Sequence, residues 1–215
     1  RLWNIQRHGP ALALQAPSQL AMVAGLVITG LPGGKLLAID AASGNVQWEG
    51  TVASPRGASD LERLTDVVGA PRMVGPLLCA VAYQGRITCF DVTQGGRPLW
   101  AKDFSSSSGM DLNERFAFAS DQHGGVSAFA LQDGTSVWKQ TALRNRALTA
   151  PAILGGALAV GDYEGYVHML SIGDGKLLGR VSVGGGAVVS PLTSTSRGIL
   201  VQTGNGNLVM LDAKY

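Results

Sequence analysis

Short apolar runs separated by polar, glycine-bearing turns are the dominant pattern along this chain. The stretch from Gly33 to Trp48, GGKLLAIDAASGNVQW, sets the type. Gly34 supplies the positive φ that a tight hairpin needs. Lys35 to Ile39 has the length and composition of a buried strand, and Asp40 with Ser43-Gly44 makes the polar turn that ends it. Trp48 then closes the unit as a large flat anchor able to pack against a neighbouring copy.

The unit recurs. Gly85 precedes RITCFDVTQGGRPLW, which ends at Trp100, and Gly124 precedes GVSAFALQDGTSVW, which ends at Trp138. Gly165 precedes YVHMLSIGDGKLLG, with Gly179 in the tryptophan's place, and Gly206 precedes NLVMLDAKY. A period of roughly 40 residues built from short strands predicts an all-β chain, a β-propeller with one four-stranded antiparallel blade per repeat. Trp3 matches the last position of the repeat and predicts a leading outer strand. The pattern therefore gives about four whole blades with a partial blade at each end. These form one propeller domain over residues 1–215, read as an excerpt of a longer propeller left as an open arc.

Composition agrees with strands buried on both faces and many tight turns. Of 215 residues 30 are glycine, and only 15% are charged. No apolar run reaches the roughly 18 residues that span a membrane, and the chain opens on RLWNIQ without a signal peptide. The net charge of +2 comes without a Lys/Arg cluster, which argues against nucleic acid as a partner. Cys79 and Cys89 flank the turn at Gln84-Gly85. A two-residue turn there would place Cys89 opposite Ala80 and point the two thiols to opposite sheet faces, so the expectation is two small buried thiols and no disulfide.

Three segments stand outside the repeat. In PALALQAPSQ, Leu12 and Leu14 share a face if the segment is extended, and on pattern alone they pack inward beneath the blade. Between Val52 and Pro71 an insertion of about ten residues, SPRGASDLERLTDVVGAP, concentrates Arg56, Asp60, Glu62, Arg63 and Asp66; such loops carry function in repeat folds. Its carboxylates have no spacing that fixes a pair around a substrate, so a solvated or partner-facing loop is expected. The third is the serine run Ser105–Ser108, a flexible connector. His8, His123 and His168 lack metal-ligand spacing. The glycines at 184–186 and 204–206 lack the partners of a phosphate or dinucleotide loop.

The repeat GKLLAIDAASGNVQW with FALQDGTSVW resembles the tryptophan-docked blades of pyrroloquinoline-quinone-type propellers, a likeness that speaks for fold and not for function. RGASDLERLTDVVGAP with AVAYQGRITCFD, LTAPAILGGALAVGDYEGYVHML and the leading WNIQRHGPALALQ resemble, in the same order, the BamB family of outer-membrane assembly lipoproteins. The resemblance implies the C-terminal part of an eight-bladed propeller with no catalytic activity and no cofactor. It implies binding to a POTRA domain of BamA and help for unfolded outer-membrane proteins, at the periplasmic face of the outer membrane, with a lipid anchor upstream. The family's contact uses a Leu-x-Leu-Arg segment and an Arg-Leu-x-Asp-x-Asp loop. Here these stand as Leu12, Leu14 and Gln15, and as Arg63, Leu64, Asp66 and Val68, with glutamine for arginine and valine for the second aspartate. The leucines then become exposed apolar contacts beside an acidic loop. Trp3, Trp48, Trp100 and Trp138 are the blade-docking residues.

Two rival readings remain. A quinoprotein dehydrogenase would hold a quinone and Ca²⁺ on inner-strand turns, where Asp121, Asp162 and Asn205 fall, although a structural role at the turn also explains them. A generic protein-binding propeller would use other rim loops.

Overall fold

The computed structural model describes residues 2–7, 9–10, 12–14 and 19–212. It contains five antiparallel sheets, each following chain order. The first comprises β1 (Leu20–Val23), β2 (Leu26–Leu31), β3 (Lys35–Asp40) and β4 (Val46–Thr51). The second comprises β5 (Val67–Val74), β6 (Leu77–Ala82), β7 (Gly85–Asp91) and β8 (Arg97–Phe104). Then follow β9 (Met110–Leu112), β10 (Phe116–Ser120), β11 (Val126–Ala130) and β12 (Ser136–Gln140). The fourth holds β13 (Ala152–Leu154), β14 (Ala157–Gly161), β15 (Tyr166–Ser171) and β16 (Leu177–Ser182). The last has three strands, β17 (Thr193–Thr195), β18 (Gly198–Gln202) and β19 (Leu208–Leu211). Four full blades and one partial blade match the repeat.

The chain packs as two compact units, Arg1–Ser107 with Gln132–Gly134, and Ser108–Leu131 with Thr135–Tyr215. In each, the middle strands are the most apolar and the most buried, whereas the outer strands β4, β8, β12 and β16 are largely exposed. The first unit has its core in Ile28, Leu36, Val52, Val67, Leu78 and Phe90. In the second, Phe118, Val126, Leu158 and Leu170 form one cluster, and Val167, Val188, Ile199 and Val201 another.

One irregularity repeats. The pairing of third and fourth strand shifts register at Ala38/Ile39, Cys89/Phe90, Ala128/Phe129 and Met169/Leu170. The residues paired there are Trp48, Trp100, Trp138 and Gly179. A bulge re-aims the side chain beside it, and here it turns each tryptophan toward a turn glycine further along. Any Cβ at Gly44, Gly134 or Gly175 would fall 2.5–2.6 Å from the nearest ring atom of Trp3, Trp100 or Trp138. Trp3 and Trp138 also donate their indole N–H groups to Ala41 O and Ile172 O, both at 2.9 Å. Trp48 reaches Gly96 but makes no such bond among the described residues.

Two expectations are corrected. Trp3 docks as expected, bonding Ala41 O, yet residues 2–7 form no strand. The cysteines form a disulfide. The β6–β7 register pairs Val81 with Ile87 and Cys79 with Cys89. The loop is thus one residue longer than a two-residue turn, with Gln84 at φ 45°. That shift moves Cys89 to the face of Cys79, and the Cα atoms lie 4.1 Å apart.

Candidate partner-binding site

The insertion between β4 and β5 is a self-supporting loop. Glu62 Oε2 accepts from the backbone N–H groups of Ala58 (2.7 Å) and Ser59 (3.2 Å), and Ser59 Oγ accepts from the Glu62 N–H in return. This is the reciprocal arrangement of a capping box. The bonds from the Ser59 and Ala58 N–H groups hold the Glu62 carboxyl below its ordinary range. Arg63 folds back, its Nε donating to Gly57 O at 3.0 Å. These bonds leave Leu61 at the loop's surface, 67% exposed.

Asp66 connects this loop to the segment before β1. Its Oδ2 accepts from Leu14 N at 2.5 Å and its Oδ1 from Gly33 N at 3.0 Å, while its backbone carbonyl accepts from Tyr83 N. One carboxylate thus satisfies two backbone donors far apart in sequence, neither of which lies in a strand. The clamp fixes residues 12–14 beside the β2–β3 turn with Leu12 43% exposed and Leu14 half-buried.

The seven residues of the sequence reading therefore divide. Leu12 and Arg63 are exposed, and Leu14 and Leu64 are half-buried. Gln15 lies outside the described residues. Asp66 and Val68 are 4% and 2% exposed, which corrects the expectation that the loop presents them to a partner. Asp66 is turned inward, where it accepts from the backbone N–H groups of Leu14 and Gly33. Val68, in β5, pairs with Val81 of β6 ahead of a bulge at residues 69–71, and packs in the interior. Inward leucines, the reading from pattern alone, are corrected for Leu12.

A second polar group went unrecognised in the sequence. Asp162 is fully buried, and its Oδ2 meets His168 Nε2 at 2.7 Å and Arg146 Nε at 2.5 Å. Its Oδ1 accepts from Glu164 N and Tyr166 N, and Glu164 also pairs with Arg146. Burial opposes ionisation of Asp162, but the bonds from His168, the Tyr166 N–H and Arg146 outweigh it and lower its pKa. Asp121 repeats the turn motif one blade earlier, accepting from His123 N and Gly125 N. Thr203, not Asn205, stands three residues before the last turn glycine, so Asn205 is out of phase with the two aspartates. The signal available was the spacing Asp-x-x-Gly, joined to a histidine inside an apolar strand. His8 lies outside the described residues.

Residues 1–140 match the sequence profile described as outer membrane protein assembly factor BamB. The chain belongs to the BamB family. BamB of Bordetella pertussis is 70% identical over 213 residues, 99% of this chain and 55% of that protein. BamB of Taylorella asinigenitalis is 37% identical over 98% of this chain and 56% of its own length. The chain thus spans about half the length of these curated relatives. The crystal structure of BamB from Moraxella catarrhalis superposes with a TM-score of 0.88 at 28% identity, covering 95% of this chain and 61% of that one. A europium-containing methanol dehydrogenase gives 0.55 at 11% identity over 90% of this chain and 44% of that one, a likeness of propeller fold alone. The blades, their repeats and the family are therefore those of BamB.

Proposed function

We propose that this chain is the partner-docking part of a non-enzymatic assembly factor that aids insertion of outer-membrane proteins by binding a POTRA domain of BamA. The names of its relatives, all outer membrane protein assembly factors, support this reading. The observation that carries it is the Asp66 clamp, which presents Leu12 on the surface with Leu14 anchored beneath. In this proposal Leu12, Leu14, Gln15, Arg63 and Leu64 form the contact, whereas Asp66 and Val68 shape it from below. An exposed leucine on an ordered backbone suits a small interface hot spot, since little ordering entropy remains to be lost on binding.

The same reading places the protein at the periplasmic face of the outer membrane, held by a lipid anchor upstream. The Cys79–Cys89 disulfide supports an oxidising compartment. No helix among the described residues is long and apolar enough to cross a membrane. A dehydrogenase reading gains nothing from Asp121 and Asp162, whose Oδ1 atoms bond the backbone of their own turns.

The experiment is calorimetric titration of the chain with the BamA POTRA array. Wild type is expected to bind with micromolar affinity, Leu12→Ala to lose about tenfold or more, and Asp66→Asn to weaken binding while the chain stays folded. Unchanged binding by Leu12→Ala would overturn the proposed surface. No binding by folded wild type would remove the BamA assignment for this part of the protein.

A further inference from the structure

Trp48 departs from the docking rule that Trp3 and Trp138 obey. Those two indole N–H groups bond to the carbonyl of the residue after Asp40 and after Ser171, the residues that end β3 and β15. The corresponding carbonyl for Trp48 belongs to Val92, after Asp91. No acceptor meets the Trp48 indole N–H among the described residues; its ring contact is with Phe90, edge-on at 5.1 Å.

Two features of sequence divert the ring. The turn from Asp91 to Gly96 has one residue more than the turn from Asp40 to Gly44, and it winds into a short 3₁₀ turn at Val92–Gln94. In addition, Gly50 stands two residues after Trp48, where the other docking tryptophans are followed by Ile5, Lys102 and Gln140. Without a side chain at Gly50 the indole lies back along its own strand: a Cβ there would fall 2.2 Å from Trp48 Cη2. The nitrogen edge is left over Gly96, where a Cβ would fall 2.3 Å from Nε1.

The displaced ring borders a cavity of about 410 Å³, open to solvent and walled by Leu26, Ile28, Trp48, Met73, Leu78 and Val92. Among the described residues no charged side chain lines it, and Gln47 supplies a polar side chain at its edge. Its volume falls in the range of about 300–1,000 Å³ that holds small ligands. An apolar wall beside an indole N–H that meets no acceptor among the described residues sets the chemistry of an occupant. A carboxylate or ammonium would enter without a counter-charge and lose its hydration. A neutral molecule with an apolar body and one carbonyl oxygen would bury its hydrocarbon and satisfy the indole N–H.

We propose that this cavity is a binding site for a neutral acyl ester, whose chain fills the space between β2, β6 and Trp48 and whose carbonyl accepts from Trp48 Nε1. The site involves none of the residues assigned to partner docking.

The test uses the full chain with monodecanoyl glycerol, below its aggregation concentration. A brominated-chain analogue is expected to quench tryptophan fluorescence saturably in wild type, and that quenching is expected to vanish in Trp48→Phe. By calorimetry with the unbrominated ester, Trp48→Phe, which keeps the apolar wall but deletes the donor, is expected to bind ~3–10-fold more weakly. Val92→Phe, at an exposed rim position, is expected to abolish binding without unfolding the chain. Decanoate is expected to bind worse than the ester. Equal affinity of wild type and Val92→Phe would overturn the proposal, as would tighter binding of decanoate or the absence of saturable binding by folded wild type.

Discussion

Cys79 and Cys89 stand directly opposite one another on β6 and β7, joined through their sulfurs, with both side chains fully buried. The bridge closes a hairpin that the sheet already closes, so it constrains the unfolded chain more than it adds native contacts. Removing both thiols by Cys79→Ala/Cys89→Ala is expected to cost about 2–3 kcal/mol. For a chain of this size that lowers the melting temperature by roughly 5–10 °C. Mass spectrometry of non-reduced protein from an oxidising compartment should give a mass two hydrogens below that of the reduced form.

The Asp66 carboxylate makes a prediction about single amides. In hydrogen exchange, Leu14 and Gly33 N–H are expected to be protected in wild type, because each donates to an Asp66 oxygen. In Asp66→Ala both should lose protection while strand amides of β2 and β6 keep theirs. Protection of Leu14 unaffected by the substitution would show that something other than Asp66 orders the segment.

Asp162 sits fully buried between the partly exposed Arg146 guanidinium and the His168 imidazole. Asp162→Ala leaves the guanidinium and imidazole without their shared acceptor, and is expected to cost about 3–5 kcal/mol at neutral pH. The pH dependence follows from the direction of the shift. A carboxyl whose pKa is lowered by folding stabilises the protein above the unfolded value and loses that contribution as pH falls through the folded one. Denaturation of wild type and Asp162→Ala should therefore converge as the pH drops below 3.8, the ordinary aspartate value. A constant gap across that range would contradict the lowered pKa.

Tryptophan docking is testable at Trp138, whose indole lies over Gly175 and bonds to Ile172 O. Trp138→Phe should lose chiefly the hydrogen bond, about 1 kcal/mol, and Trp138→Ala about 3–5 kcal/mol. Gly175→Ala should destabilise on two counts: φ is 71° there, and the new methyl would collide with the ring. Chemical denaturation of the three variants ranks these effects.

What could be read in the sequence was whatever repeats. The strands, the turn glycines and the tryptophan phase recur about every 40 residues, so each copy corroborates the others. The features that escaped are those made by single residues. One extra residue in the loop around Gln84 reversed the sense of Cys89, because strand alternation turns a shift of one into a change of face. Asp66 reads as a loop carboxylate by neighbourhood, yet it faces two backbone donors, Leu14 N and Gly33 N, that no local pattern announces. The Arg146–Asp162–His168 cluster spans a loop and a hairpin, and only folding brings it together. Leu12 was placed on the surface by family resemblance where alternation alone placed it inside.

The tryptophan that ends one repeat is seated by the turn of the next, Trp3 at Gly44 and Trp138 at Gly175. A blade is therefore incomplete as a piece of covalent chain: part of what seals it is encoded in the sequence that follows. Cutting such a protein at repeat boundaries separates each key from its lock, whereas cutting within the turn after a tryptophan's glycine keeps the pair on one fragment. Fragments, insertions and circular permutants that respect this offset should fold more cooperatively than those that respect the repeat as written.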